Sequence, residues 1–280
     1  MRHHFRYPIR WIPLLLLMAS CSGQEPEPPP EAETEDPVEP PALYENFVDE
    51  MYELPDCMVD GEPCVKMHFQ YPDFRTGEPL GDSLAKWTHK RMFDPETDPP
   101  ATEASGLVDE WFEDYRQYQE QIEEYRIPWA LERRIEVIYE SDRLVTLHFS
   151  EFSFTGGTHP VQIDHFRSFS RPDGKILRLE DLTMDNCCYD RLQDLAEEQY
   201  RFTYELLEGD NAEDAGYHFL EDRFHLTDNF AFTEFGLLFY FNSYEVAPYA
   251  TGPIAIEIPY EDLEHLIRPS WLTGTDQRTL

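Results

Sequence analysis

Two apolar arms folded about a glycine pair constrain this chain more than any other stretch. The first arm, Leu144-Val145-Thr146-Leu147-His148-Phe149, runs on to Phe152 and Phe154, and the second carries Val161, Ile163, His165, Phe166 and Phe169. β-Branched and aromatic residues crowd both arms, partly in period-two alternation, as expected of strands with one buried face. Between them lies Phe154-Thr155-Gly156-Gly157-Thr158-His159-Pro160. A Gly-Gly pair reaches positive φ without steric cost, and Pro160 forces an extended start to the second arm. The spacing predicts a β-hairpin, and counting outward from Gly156-Gly157 sets His148 opposite His165.

Elements of both kinds flank the hairpin. A strand over residues 65–71 precedes a helix begun near Asp82 or Ser83, with Leu80, Leu84, Trp87 and Arg91-Met92 at helical steps. Leu107, Trp111, Tyr115, Tyr118 and Ile122 mark a second helix over 107–125, which Ile127-Pro128 ends. A strand over 131–139 leads into the hairpin. Beyond it come a tight turn at Arg171-Pro172-Asp173-Gly174-Lys175, a helix over 189–207, and short strands over 224–226, 229–233 and 236–241. A strand over 254–260 and a helix over 261–267 close the pattern, and no internal repeat is visible. The reading is an α+β fold: a two-part domain with antiparallel sheets, a central β-hairpin and packed helices, its parts at 43–140 and 141–268, followed by a tail at 269–280.

The N-terminus reads as an export and anchoring device. Arg2, Arg6 and Arg10 precede Ile12-Pro13-Leu14-Leu15-Leu16-Leu17-Met18, too short to span a bilayer and suited to a signal-peptide core. Met18-Ala19-Ser20-Cys21 then looks like a bacterial lipobox, which predicts a signal peptide over 1–20 and acylation of Cys21, for instance with palmitate. Ser22 after the cysteine suits the outer-membrane class, facing the periplasm, if the cell is Gram-negative. Residues 23–41 alternate Glu, Asp and Pro, so 21–42 reads as a lipidated, extended tether that cannot bury enough surface to fold. The formal charge of -35 excludes phosphate-backbone binding, hence nucleic acid. It suits a soluble envelope protein, a salty habitat or a cationic partner.

An exported chain permits its cysteines to oxidise. Cys57 and Cys64 bracket Met58-Val59-Asp60-Gly61-Glu62-Pro63, and a disulfide closing that hairpin loop is expected. Cys187-Cys188 leaves open a strained vicinal bond or a cross-link elsewhere. Neither CxxC spacing nor an HxxxH pair accompanies the cysteines, so no metal and no other cofactor is expected.

Two loops are candidates for function. Gly156, Gly157, Thr158, His159 and Pro160 put a histidine on a glycine turn, where it could act as a base or bond locally. Tyr244, Glu245, Pro248, Tyr249, Gly252 and Pro253 mark a shaped aromatic loop, which either packs over the sheet end or presents large, stiff contact surfaces to a partner. No G-x-S-x-G and no P-loop occurs.

Four stretches carry a family resemblance. Gln70-Tyr71-Pro72-Asp73-Phe74, the Gly-Gly loop, Gly174-Lys175-Ile176-Leu177-Arg178-Leu179-Glu180-Asp181-Leu182, and the loop from Tyr244 to Pro253 followed by Ile256-Glu257-Ile258-Pro259-Tyr260 resemble landmarks of the RsiV-type extracellular domain. That domain is shared by the lysozyme-sensing anti-sigma factor RsiV and the peptidoglycan deacetylase PdaC, and the resemblance covers about residues 44 to 268. It implies a two-part α+β fold, export, and envelope binding or sensing, with a lysozyme-like basic protein or peptidoglycan as partner. In place of a cytoplasmic sigma-binding segment and a membrane span there is a lipobox-like Cys21, and between Tyr44 and Leu280 there is no room for a separate catalytic deacetylase domain. The expectation is a non-enzymatic, lipid-anchored envelope binding protein. A cell-wall hydrolase using His159 and nearby carboxylates, or a structural envelope lipoprotein, are the alternatives.

Overall fold

Alternation in the strands and aromatic stripes on the helices build the first layer pair. The computed structural model describes residues 42–93, 103–122, 127–206, 212–213, 216–219 and 223–272. The expected signal peptide, Cys21, the tether up to residue 41 and the tail beyond residue 272 lie outside the described residues. β1 (Tyr44–Glu53) is followed by a small hairpin, β2 (Met58–Val59) and β3 (Glu62–Pro63), and by β4 (Val65–Phe74). Asp60 and Gly61 turn the small hairpin with φ of 52° and 90°, and a Cys57–Cys64 disulfide closes it with Cα atoms 5.4 Å apart. Helices α1 (Pro79–Met92) and α2 (Ser105–Gln121) then carry the chain over to β5 (Trp129–Glu140), which lies parallel to β4. A parallel pair needs such a crossover, whereas antiparallel neighbours can be joined by a turn.

β5, β6 (Leu144–Phe154) and β7 (Val161–Ser170) run antiparallel, giving a five-stranded sheet in the order β1-β4-β5-β6-β7. The sheet continues across the expected boundary between residues 140 and 141, since Glu140 pairs with Val145. Val65, Met67 and Phe69 alternate inward from β4, beneath the helices. Trp129 of β5 receives Trp111, Tyr115 and Tyr118 of α2 edge-on at 5.8, 5.3 and 5.3 Å, so the aromatic stripe of α2 packs against the sheet. Proline at the first turn starts α1 three or four residues before the expected Asp82 or Ser83.

The hairpin register corrects one expectation. His148 faces Phe166, not His165, and Phe149 faces His165. Counting from Gly156-Gly157 assumed a symmetric two-residue turn. Only Gly156 takes a positive φ, 91°, and strand pairing ends at Ser153 with Val161, so the loop centres on Gly157. A one-residue slip reverses which face a side chain occupies, and the two histidines lie on opposite faces of the sheet.

A second core forms beyond the hairpin. α3 (Leu179–Leu182) and α4 (Asn186–Thr203) pack with a three-stranded antiparallel sheet of β8 (Phe230–Phe232), β9 (Gly236–Phe241) and β10 (Ile254–Pro259), in the order β10-β9-β8. Asp185 caps α4 by accepting from the Cys188 amide at 2.9 Å. The helix therefore starts at Asn186, and Cys187 and Cys188 stand in its first turn as free thiols. Residues 224–226 take no strand conformation. The closing helix is shorter than expected: α5 (Tyr260–Leu263) gives way to a β-bridge from Ile267 to Thr183, and α6 (Pro269–Leu272) follows. Among the described residues no helix is long and apolar enough to cross a membrane.

Candidate functional site

The outer edge of β7 decides where the two candidate loops meet. An edge strand leaves amide and carbonyl groups unpaired, and here two asparagine side chains take them. Asn242, at the end of β9, accepts from the Asp164 amide at 2.7 Å and donates to its carbonyl at 3.1 Å. Asn229, before β8, accepts from the Phe166 amide at 2.7 Å and donates to the Asp164 carbonyl at 2.9 Å. These amides stand in for a further strand and clamp the second sheet to the hairpin. They bring the loop after Asn242 beside the turn before Val161.

Within that loop Tyr244 has φ of 72°, a left-handed conformation uncommon for a bulky residue. Its amide donates to the Ala247 carbonyl at 3.1 Å, and that of Glu245 to the Asn242 carbonyl at 3.0 Å, which hold the kink. Pro248 leads into a 3-10 turn (Tyr249–Thr251), and Gly252, with φ of 79°, turns the chain towards Pro253 and β10.

His159 joins the two loops. Its ring lies flat on Tyr249, with centroids 3.8 Å apart and planes 15° apart. Nδ1 is 3.0 Å from the Pro160 carbonyl and Nε2 is 3.0 Å from the Tyr244 hydroxyl, a contact across 85 residues of sequence. A carbonyl only accepts, so in the neutral ring Nδ1 carries the proton and Nε2 accepts from the tyrosine O–H. Tyr244 is nevertheless 64% exposed, presenting an aromatic face to solvent.

The three rings wall a cavity of about 300 Å³. His159, Pro160, Tyr244, Glu245 and Tyr249 are the sequence candidates that line it, joined by Gln162, Ile163, His165, Asn242 and Ser243. Gly156, Gly157, Thr158, Pro248, Gly252 and Pro253 shape the two loops from outside the cavity wall. The alternation of Val161, Ile163 and His165 was legible as a strand face, but nothing in the sequence tied that face to Asn242. Burial pushes the His165 imidazole down to about 4, aided by the charges of Arg91 and Arg167, so it lines the cavity uncharged at neutral pH.

On the opposite face of β7 a polar cluster is buried. Asp164 lies 2.7 Å from His148 Nε2 and accepts from the Tyr240 hydroxyl at 3.1 Å. Burial works against the carboxylate, but hydrogen bonds from His148, Tyr240 and Gln162 outweigh it and hold Asp164 below the usual range. Burial pushes the Tyr240 phenol up, with the Asp164 charge beside it. His148 stacks on Phe166 at 4.4 Å and 5°, which fixes its ring. Among the described residues no three His, Cys, Asp or Glu side chains gather as metal ligands.

Comparison with known proteins places both loops. Residues 59–162 match the family described as deacetylase PdaC, and residues 180–261 match the family described as protein of unknown function DUF3298. The chain carries a PdaC-type segment followed by a DUF3298-type segment. His159 lies near the end of the PdaC-type segment, and Tyr244 and Tyr249 lie in the DUF3298 segment, so the stacked rings form where the two segments meet. A crystal structure of a DUF3298 family member from Bacteroides fragilis shares 22% identity, covering 82% of this chain and 97% of that one, with a TM-score of 0.63. Another, from Pseudomonas aeruginosa, shares 20% identity over 80% of this chain and 94% of that one, with a TM-score of 0.58. Both share the fold. No curated protein matches the chain.

Proposed function

We propose that this DUF3298/PdaC-type chain is a non-enzymatic, lipid-anchored envelope protein that binds peptidoglycan at the His159–Tyr244–Tyr249 rim. The observation that carries the reading is the His159 bridge, which ties the Gly-Gly turn to the loop bearing Tyr244 and Tyr249 around one small cavity before any ligand arrives. Preorganised aromatic faces suit the apolar faces of sugar rings, and the Gln162 amide and Ser243 hydroxyl on the same wall suit hydroxyl and acetamido groups. Ordering cost on binding is low for such a rim. Anchoring through Cys21 rests on the lipobox-like Met18-Ala19-Ser20-Cys21 and on the acidic tether that follows it.

A second reading, a lysozyme-like basic protein as partner, is favoured by the net charge of -35 and by Glu245 on the cavity wall. Sedimentation with purified sacculi separates the two. Peptidoglycan binding predicts co-sedimentation lost in Tyr249→Ala, whereas the basic-protein reading predicts salt-sensitive retention on immobilised lysozyme without co-sedimentation. Failure of both removes the rim as a binding site and leaves a structural lipoprotein. Digestion of sacculi that disappears in His159→Ala would replace binding by hydrolysis. Incorporation of labelled palmitate, lost in Cys21→Ala, tests the anchor separately.

A further inference from the structure

Away from the rim, this acidic chain gathers its lysines in one place. It has four lysines in all, Lys66, Lys86, Lys90 and Lys175. Three of them, Lys86, Lys90 and Lys175, line a single pocket of about 700 Å³ together with Arg178. Among the described residues of its wall the carboxylates are Glu180 and Asp181, so four cationic side chains stand against two anionic ones there in a chain of -35. An acidic protein that collects its scarce ammonium groups around one hollow holds a local field opposite in sign to its surroundings.

The pocket is built as well as charged. Its floor is apolar: Trp87 is 8% exposed, Phe169 is fully buried, and the two rings meet edge-on at 6.1 Å. Lys86 and Lys90 stand one turn apart on α1, four residues from each other, at exposed positions along one wall. The facing wall is the turn from Gly174 to Asp181, pressed hard against the start of α1. A Cβ on Gly174 would come within 2.2 Å of the Pro79 carbonyl oxygen, and its φ is 67°. Lys175 is held on that wall by Asp181, Nζ to Oδ1 at 2.5 Å, and Ile176 is 40% exposed over the hollow.

We propose that this pocket binds a phosphomonoester that carries an apolar or ring-shaped body. A phosphomonoester bears about −1.5 to −2 at neutral pH, opposite in sign to the excess of cationic side chains among the described lining residues. Lysine meets phosphate as a point charge without demanding planar geometry. The volume exceeds the needs of a bare phosphate ion and falls in the range of small-molecule sites, and Trp87, backed by Phe169, and Ile176 supply the apolar contact for the remainder of such a ligand. Two sources offer this chemistry, a soluble sugar or aryl phosphate and the headgroup of phosphatidic acid.

The test offers phenyl phosphate, benzoate and inorganic phosphate to the full chain by calorimetry, and phosphatidic acid vesicles by sedimentation against phosphatidylcholine vesicles. Phenyl phosphate is expected to bind about tenfold or more tightly than benzoate or inorganic phosphate, and less tightly as salt rises. Lys86→Gln/Lys90→Gln is expected to weaken it about tenfold or more, with Lys66→Gln unchanged. Both positions are exposed, and Lys90→Gln alone, expected to weaken binding severalfold, serves if the double variant does not fold. Vesicle binding that shares the lysine dependence identifies a lipid source; binding of phenyl phosphate alone identifies a soluble one. No binding of either probe, benzoate bound as tightly as phenyl phosphate, or lysine variants that bind like the wild type would each overturn the proposal. Sacculus binding through Tyr249 is unaffected by these lysines, so the two sites fail or stand independently.

Discussion

At Tyr244 a single side chain carries backbone strain, a hydrogen bond and exposed surface at once. The left-handed φ of 72° costs about 1 kcal/mol or more at a bulky residue, and two backbone bonds and the His159 contact offset it. Tyr244→Phe keeps the ring but deletes the O–H that His159 Nε2 accepts, and a loss of about 0.5–1.5 kcal/mol in denaturant unfolding is expected. His165, on the cavity wall, gives a pH signature. In the unfolded chain its imidazole titrates near about 6.5, whereas in the folded chain burial and the Arg91 and Arg167 charges hold it down to about 4. Between those values the unfolded state binds the extra proton, so stability is full above the upper one and declines as pH falls towards the lower. The expected decline is about 1–2 kcal/mol once solvent screening is allowed for. Urea titrations at pH 7 and pH 4 check it, and His165→Phe, which keeps a ring against Phe149, should reduce the difference between the two by that amount.

For the elements, the edge of β7 shows what can and cannot be read from a sequence. Its partner strand β6 was legible because alternation and β-branched residues mark a strand locally, and the helices α1, α2 and α4 were legible because aromatic and leucine stripes recur at helical steps. The register was not, because it depends on how many residues the loop absorbs, and Gly157 does not take the positive φ that Gly156 takes. Nor was the closure of the edge, since Asn229 and Asn242 read as loop residues until Asp164 and Phe166 are seen to need partners. The rim was legible as two separate loops, and only the asparagine clamp brings them together. That clamp predicts a cost: Asn242→Ala leaves the buried Asp164 amide without its acceptor, and about 1–3 kcal/mol of stability should be lost in chemical denaturation. Replacing the exposed residue Glu234 by Ala, in the bend between β8 and β9, should change stability by less than about 0.5 kcal/mol.

Across the whole molecule, two hydrophobic cores share one strand pair. The first lies between the helices α1 and α2 and the five-stranded sheet, and the second between α4 and the three-stranded sheet. Leu144 of β6 belongs to the second core while its neighbour Val145 belongs to the first, as period-two alternation requires of a strand buried on both faces. The described residues from Ala42 onward accordingly form one compact unit. The hairpin of β6 and β7 is thus the wall common to both cores, and the asparagine clamp is the polar seam along its outer edge. Trp87 and Trp129 are buried in the first core, and Trp111 packs against it, whereas Trp271 packs against the second, so a chain with both Trp11→Phe and Trp271→Phe reports the first core by fluorescence and both by far-ultraviolet dichroism. In that background the two signals should melt together if the shared strands couple the cores. Adding Asn229→Ala and Asn242→Ala removes four hydrogen bonds of the seam. The dichroism should then fall before the fluorescence, because the second core loses its attachment while the first keeps its helices and all five strands. Coincident melting in the seam variant would mean that apolar packing across β6, and not the amides, holds the halves as one.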